Sequence, residues 1–337
     1  MKKQHQSGLT RRSTTEGFIE GLVMALGLVA ILILFILPKT PPGPTPSLPS
    51  LFGGNSGSFN QSPNSNNSGG ANTNITKDSI FANSISLSMG NGPYSFQPDD
   101  EYISLSNGDS KPIIITGWKL QNGKGQRAYN VGNSLQYFPS EAVSIPRGTY
   151  ILSPSGANNM QNIVLKPNES AIITTGQMGI TIPYKIVSFK ENICTGYIEK
   201  LDNYSFTPSL QTNCVQPRNE PGIENLDTGC RDYISSMSSC HTPKFNTVDT
   251  QGRLTDSQGN SCTGCVDGNS TLSSSCVAFI KSHFSYPGCL AYHQNDPDFS
   301  GSEWRIFLGQ KWELWAKDYE IISLFDSAGK LVNYQSY

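Results

Sequence analysis

Short stretches of alternating apolar and polar residues recur in two parts of the chain, each with the period of a half-buried strand. Residues 84–88 read Ser-Ile-Ser-Leu-Ser, and the next stretch puts Glu101, Ile103 and Leu105 opposite Tyr102, Ser104 and Ser106. Asn107-Gly108-Asp109 supplies a turn signal, and residues 112–116 lead into Gly117-Trp118-Lys119-Leu120. Further strands are expected over 142–145, 149–152, 169–174 and 184–189, punctuated by Pro146-Arg147-Gly148 and Lys166-Pro167-Asn168. The pattern returns at 304–308, 312–315, 320–325 and 330–334, with Asp326-Ser327-Ala328-Gly329 as the last turn. Many short strands with no long amphipathic helix between them favour a β-sandwich over a βαβ fold. Its expected core contains Ile103, Leu105, Trp118, Leu120, Ile322 and Leu324.

A different pattern marks the N-terminus. Residues 17–37 are almost continuously apolar, with Glu20 near one end and Pro38 as a stop. A helix over them would reach roughly 30 Å, one hydrocarbon core. The run is longer than a typical signal-peptide core and no small-x-small cleavage site directly follows, which favours an uncleaved anchor over its rival, a cleaved signal peptide. Lys2, Lys3, Arg11 and Arg12 precede the run, whereas Lys39 stands alone after it until Lys77. That asymmetry predicts a single-pass cell-membrane protein with a cytoplasmic tail over 1–16 and an extracytoplasmic body. Residues 38–74 are rich in Pro, Gly, Ser and Asn and read as an extended stalk.

Cysteine usage bears on the compartment. All eight cysteines (Cys194, Cys214, Cys230, Cys240, Cys262, Cys265, Cys276 and Cys289) lie beyond the stalk, within one Gly-, Ser- and Asn-rich stretch. An even count in such a stretch predicts disulfides formed in an oxidising space, with partners unassigned. Two alternatives stand beside this. Cys262-Thr263-Gly264-Cys265 has a redox or zinc spacing, and Cys276, Cys289, His241, His283 and His293 could complete a zinc set. No second regular knuckle accompanies it, so structural disulfides are the favoured reading and the three histidines are expected at the surface or satisfied in loops.

The pieces of the sandwich resemble the lamin-tail domain family. Glu101-Tyr102-Ile103-Ser104-Leu105-Ser106-Asn107 is similar to its early strand and turn, and Ile115-Thr116-Gly117-Trp118-Lys119-Leu120 to the following strand with its tryptophan. The closing hairpin is matched by Ile322-Ser323-Leu324-Phe325-Asp326-Ser327-Ala328-Gly329-Lys330-Leu331-Val332. The resemblance covers about 80–190 and 303–337 and implies an all-β immunoglobulin-like sandwich of a bacterial membrane-tethered type. The family brings no catalytic set. Its domain is then split, with a first part over 75–190, a disulfide-rich irregular insertion over 191–302, and closing strands over 303–337.

Composition narrows the function. A formal net charge of -2 and 15% charged residues leave no basic field for nucleic acid. The chain has no Gly-rich phosphate loop, H-E-x-x-H helix or G-x-S-x-G elbow. The expected function is a membrane-anchored binding or structural module for envelope or cell-surface interaction. The lipid bilayer is its first partner; an envelope protein, a glycan or another copy of the chain is the second. The aromatic-rich end, Trp304, Trp312, Trp315 and Tyr319 with Arg305, Lys311, Glu313 and Lys317 nearby, is the candidate interaction surface, although most of these aromatics are expected to complete the sandwich and its junction to the insertion. An extracytoplasmic enzyme or a cation-dependent module using the cysteine-rich insertion is the alternative. No cofactor is predicted; Asp296, Asp298 and Glu303 near His293 are the residues a calcium site would use, and zinc is the other metal weighed.

Overall fold

A computed structural model describes residues 77–126, 128–178, 183–245, 247–248, 250–255, 265–267, 272–318 and 320–337. The expected tail, anchor and stalk, together with Cys262 and Tyr319, lie outside these residues. Among the described residues, no helix is long and apolar enough to cross a membrane.

The body is β-rich. Strands β1 (Ile85–Ser88), β2 (Tyr102–Asn107), β3 (Ile113–Ile114), β4 (Lys119–Gln121), β5 (Ala128–Val131), β6 (Ser134–Tyr137), β7 (Ala142–Ser144), β8 (Val164–Leu165), β9 (Ser170–Thr174) and β10 (Phe189–Asn192) come first. The short β11 (Thr247–Val248) and β12 (Leu254–Thr255) follow, and β13 (Ser300–Phe307), β14 (Ile321–Phe325) and β15 (Leu331–Ser336) close the chain. Five strands form one sheet in the order β1-β2-β9-β13-β10, and four form another in the order β15-β14-β4-β7. Every neighbouring pair is antiparallel except β9 and β13, which run parallel.

The two sheets share one core. Ile103 and Leu105 of β2, Ile173 of β9 and Ile306 of β13 pack in the same apolar cluster as Leu120 of β4, Ile322 and Leu324 of β14, and Trp118. All six expected core residues are buried there, and Phe81 lies against Trp118 at 5.2 Å between ring centroids. Alternation marks β1 and β2 because each buries every second residue, whereas β9 and β10 are buried at consecutive positions. Along one side, the sheet edges are joined by side chains: Asn333 and Gln335 of β15 donate to the Ile85 and Leu87 carbonyls of β1. These amides satisfy carbonyls that would otherwise form an open edge.

The cysteine-rich stretch leaves after β10 and returns at β13, and these strands pair with each other, Phe189 opposite Arg305 and Lys190 opposite Trp304. It is therefore an excursion between neighbouring strands. It is also less irregular than expected: α1 (Gly196–Glu199), α2 (Thr228–Ser236), α3 (Ser274–His283) and α4 (Tyr286–His293) lie within it. Local caps explain the last three, since Asp227, Ser273 and Ser285 accept from the amides of Cys230, Cys276 and Gly288. Cys194–Cys289, Cys214–Cys240 and Cys230–Cys276 are disulfides. Cys265 is also disulfide-bonded. Cys194, Cys214, Cys240 and Cys289 join Phe189 and Phe307 in a second core, while Cys230 and Cys276 centre a third with Ile234, Ile280 and Phe284.

Three expected strands differ. Residues 149–152 contribute only an isolated bridge from Thr149 to Phe189, and the strand expected over 184–189 begins at Phe189. Residues 312–315 form bends, because the Leu314 and Trp315 amides bond to a carboxylate rather than to a neighbouring strand.

Candidate interaction groove

The segment between β13 and β14 crosses from one sheet to the other. It begins at Gly309, whose φ of 69° suits a residue without a Cβ. The Gln310 amide then bonds to the Thr175 carbonyl at 2.9 Å. Glu101 holds the next part: its fully buried carboxylate accepts from the amides of Leu314 at 2.8 Å and Trp315 at 3.3 Å. Burial pushes the Glu101 pKa up, and the hydrogen bonds from these two amides oppose that shift. Glu320 accepts from the Ala316 amide at 3.0 Å. With Leu314 and Trp315 turned into the core, the intervening chain presents Trp312 to solvent.

The facing wall comes from the excursion between β4 and β7. Asn122, buried just after β4, donates to the Leu314 carbonyl at 2.9 Å and accepts from the Glu141 amide at 2.9 Å, so it links the two walls. Glu320 also accepts from the Gly123 amide, joining the same two segments. Lys124 and Glu141 form an ion pair at 2.6 Å on the rim. Lys124, Glu141, Val143, Gln310, Trp312 and Glu313 line a groove of about 440 Å³, with Leu314 and Ala142 completing it.

Beyond the rim the same excursion extends as the β5–β6 hairpin. Neither strand was expected from the sequence. Every residue of both strands is exposed. Residues 128–140 carry no charge, and Tyr129, Val131, Leu135, Tyr137 and Phe138 are all exposed apolar side chains. The alternation signal is weak here because neither face packs on a core. Concavities elsewhere among the described residues include one of about 500 Å³ between residues 149–161 and α4, and one of about 410 Å³ beside the exposed Tyr94 and Phe96.

The aromatic end divides sharply. Trp312 is 79% exposed, whereas Trp304 and Trp315 are 0% and 4% exposed and belong to the shared core. Trp304 and Trp315 drop out of the candidate surface and fall under the favoured alternative, that most of these aromatics complete the body: Trp304 fills space between the sheets and donates to the Val164 carbonyl at 3.1 Å. Arg305 is likewise buried rather than superficial. It pairs with Glu191 at 2.5 Å and Glu303 at 3.0 Å, and it donates to the carbonyls of Pro208 and Ser209 in the insertion.

Two of the histidines are buried, against expectation, because they sit on helices packed inside the insertion. His293 lies between Asp296 at 2.7 Å and Glu220 at 3.2 Å. Burial opposes its charging, but the two carboxylates outweigh that and hold its pKa above the usual value. His283 is stacked between Phe279 and Tyr292, with centroids at 3.8 and 3.9 Å, and burial pushes its pKa down. His241 remains partly exposed and meets Asp267 at 2.6 Å. Cys276 and Cys289, weighed as zinc ligands, are committed to disulfides. Among the described residues, no group of three His, Cys, Asp or Glu is arranged to hold a metal ion.

Comparison with family models, curated proteins and solved structures finds no match. The lamin-tail likeness accordingly rests on the residues that carry it.

Proposed function

We propose that the chain is a membrane-anchored extracytoplasmic binding or structural module that presents a lamin-tail-like, immunoglobulin-like sandwich for envelope or cell-surface interaction. The observation that carries this reading is the Trp312 groove: an exposed indole on a segment clamped by Glu101, Asn122 and Glu320, beside an uncharged apolar hairpin. A clamped platform loses little conformational entropy on binding. The disulfides support an oxidising compartment, and the shared core of the two sheets supports the sandwich. The long excursion between β10 and β13 sets it apart from a compact lamin tail.

Two measurements test the proposal. In intact cells, a cysteine introduced at Ser155 should react with an impermeant thiol reagent, and one introduced at Ser7 should not. The purified full chain should co-sediment with isolated envelopes, and Trp312→Ala should reduce the bound fraction while leaving the melting curve unchanged. Labelling at Ser7 but not Ser155 would reverse the topology. Envelope binding indifferent to both Trp312→Ala and deletion of 128–137 would remove the site.

A further inference from the structure

We infer that the Trp312 groove is a binding site for neutral carbohydrate, with the indole as the stacking platform for one pyranose face and the rim side chains as partners for its hydroxyls. The inference rests on the reading of the exported body as a binding module and names the ligand of that site.

The chemistry of the groove selects the ligand class. Trp312 is 79% exposed and lines the groove, which leaves its indole accessible to a ligand. A flat apolar surface alone would suit many ligands, but here it is bordered by Lys124, Glu141, Gln310 and Glu313. These groups supply ammonium and amide donors and carboxylate and amide acceptors around one ring-sized surface. A purely apolar ligand would strip water from them without returning hydrogen bonds, a costly exchange. An anionic ligand would meet two carboxylates for one ammonium, and Lys124 is already paired with Glu141 at 2.6 Å. A pyranose meets both demands, because it carries a patch of C–H groups on its face and hydroxyls around its edge. The volume, about 440 Å³, falls in the range of small-ligand sites. An extended peptide added to the neighbouring sheet edge fits less well: β7 spans only Ala142–Ser144, short of the five or six residues of an ordinary strand.

Position matters as much as composition. The backbone on either side of Trp312 is fixed through buried groups, the Thr175 carbonyl before it and Glu101 after it. Asn122 ties that segment to the Glu141 wall. The platform and the rim are therefore held in register before any ligand arrives, which offsets the weakness of individual sugar contacts.

The test uses the full-length protein with its disulfides intact and three soluble probes: tetramers of β-1,4-linked glucose, β-1,4-linked N-acetylglucosamine and α-1,6-linked mannose. Calorimetry and tryptophan emission should show binding of at least one, with little dependence on salt. Trp312→Ala should weaken it by about tenfold or more, the equivalent of 1.4 kcal/mol, and Trp312→Phe should retain part of it. Tyr94→Ala, at an equally exposed aromatic elsewhere, should leave affinity unchanged. Because Trp312 is mostly solvent-exposed, each variant should melt within about 2 °C of the parent. No binding of any tetramer up to about 10 mM, weaker than the millimolar range, would overturn the inference, as would binding insensitive to Trp312→Ala. If envelopes are still bound through Trp312 while the tetramers are not, the carbohydrate assignment falls and the module reading stands, with a protein ligand indicated. Failure of envelope binding as well would sink both.

Discussion

The Cys194–Cys289 disulfide offers the sharpest test of how the insertion is held. Its cysteines are 95 residues apart, and the spans of Cys214–Cys240 and Cys230–Cys276, 26 and 46 residues, lie inside that loop. The chain-entropy relation assigns about 4.7 kcal/mol to closing so long a loop in the unfolded chain. The two nested bridges shorten the covalent path between Cys194 and Cys289 to roughly half, which reduces the expected contribution to about 4 kcal/mol. Cys194→Ala with Cys289→Ala also removes two buried sulfurs from the core around Phe189 and Phe307, so the packing loss adds to the entropic one. The double variant should lose about 3–5 kcal/mol, or roughly 8–15 °C in melting temperature for a domain of this size. Urea titration followed by tryptophan fluorescence would measure it, with mass spectrometry confirming the other bridges. A loss below about 1 kcal/mol with those bridges intact would refute the reasoning, because neither loop closure nor the buried sulfurs would then matter to the folded state.

Further substitutions examine other parts of the structure. Trp118→Ala should cost about 3–5 kcal/mol, since the indole is 1% exposed and packed against Phe81; an unchanged melting temperature would remove it from the core. Glu101→Ala leaves the Leu314 and Trp315 amides without their acceptor and should cost about 1–3 kcal/mol, with faster proteolysis between 310 and 318 as the local readout. His293 has a raised folded pKa, so its contribution is complete below the unfolded value of about 6.5 and is lost as pH rises through the folded value. The stability gap between the parent and His293→Gln should therefore shrink from pH 6 towards alkaline pH; a gap that widens would reverse the sign.

Much of the β-rich body was legible because strand alternation records a local fact: one face meets apolar neighbours and the other meets water. That fact put Ile103, Leu105, Leu120, Ile322 and Leu324 in the core, and it also put Glu101 on the apolar face. A carboxylate there signals a buried polar task, but the sequence does not say which. Its acceptor role depends on Leu314 and Trp315, more than two hundred residues away. The helices of the insertion were signalled by Asp227, Ser273 and Ser285 at their caps, yet the apolar periodicity around them is too weak to announce them.

Local periodicity and composition carry the β-rich character of the body, the burial of Ile103, Leu105, Trp118, Leu120, Ile322 and Leu324, and the cross-linking of the seven described cysteines. The tertiary structure alone decided which cysteines pair, which strands are neighbours and which tryptophan meets solvent. Trp304, Trp312 and Trp315 stand within twelve residues of one another and share one chemistry, so no local rule separates them. Only the partners of the surrounding backbone, brought together from distant parts of the chain, turn two of them inward and leave Trp312 at the surface.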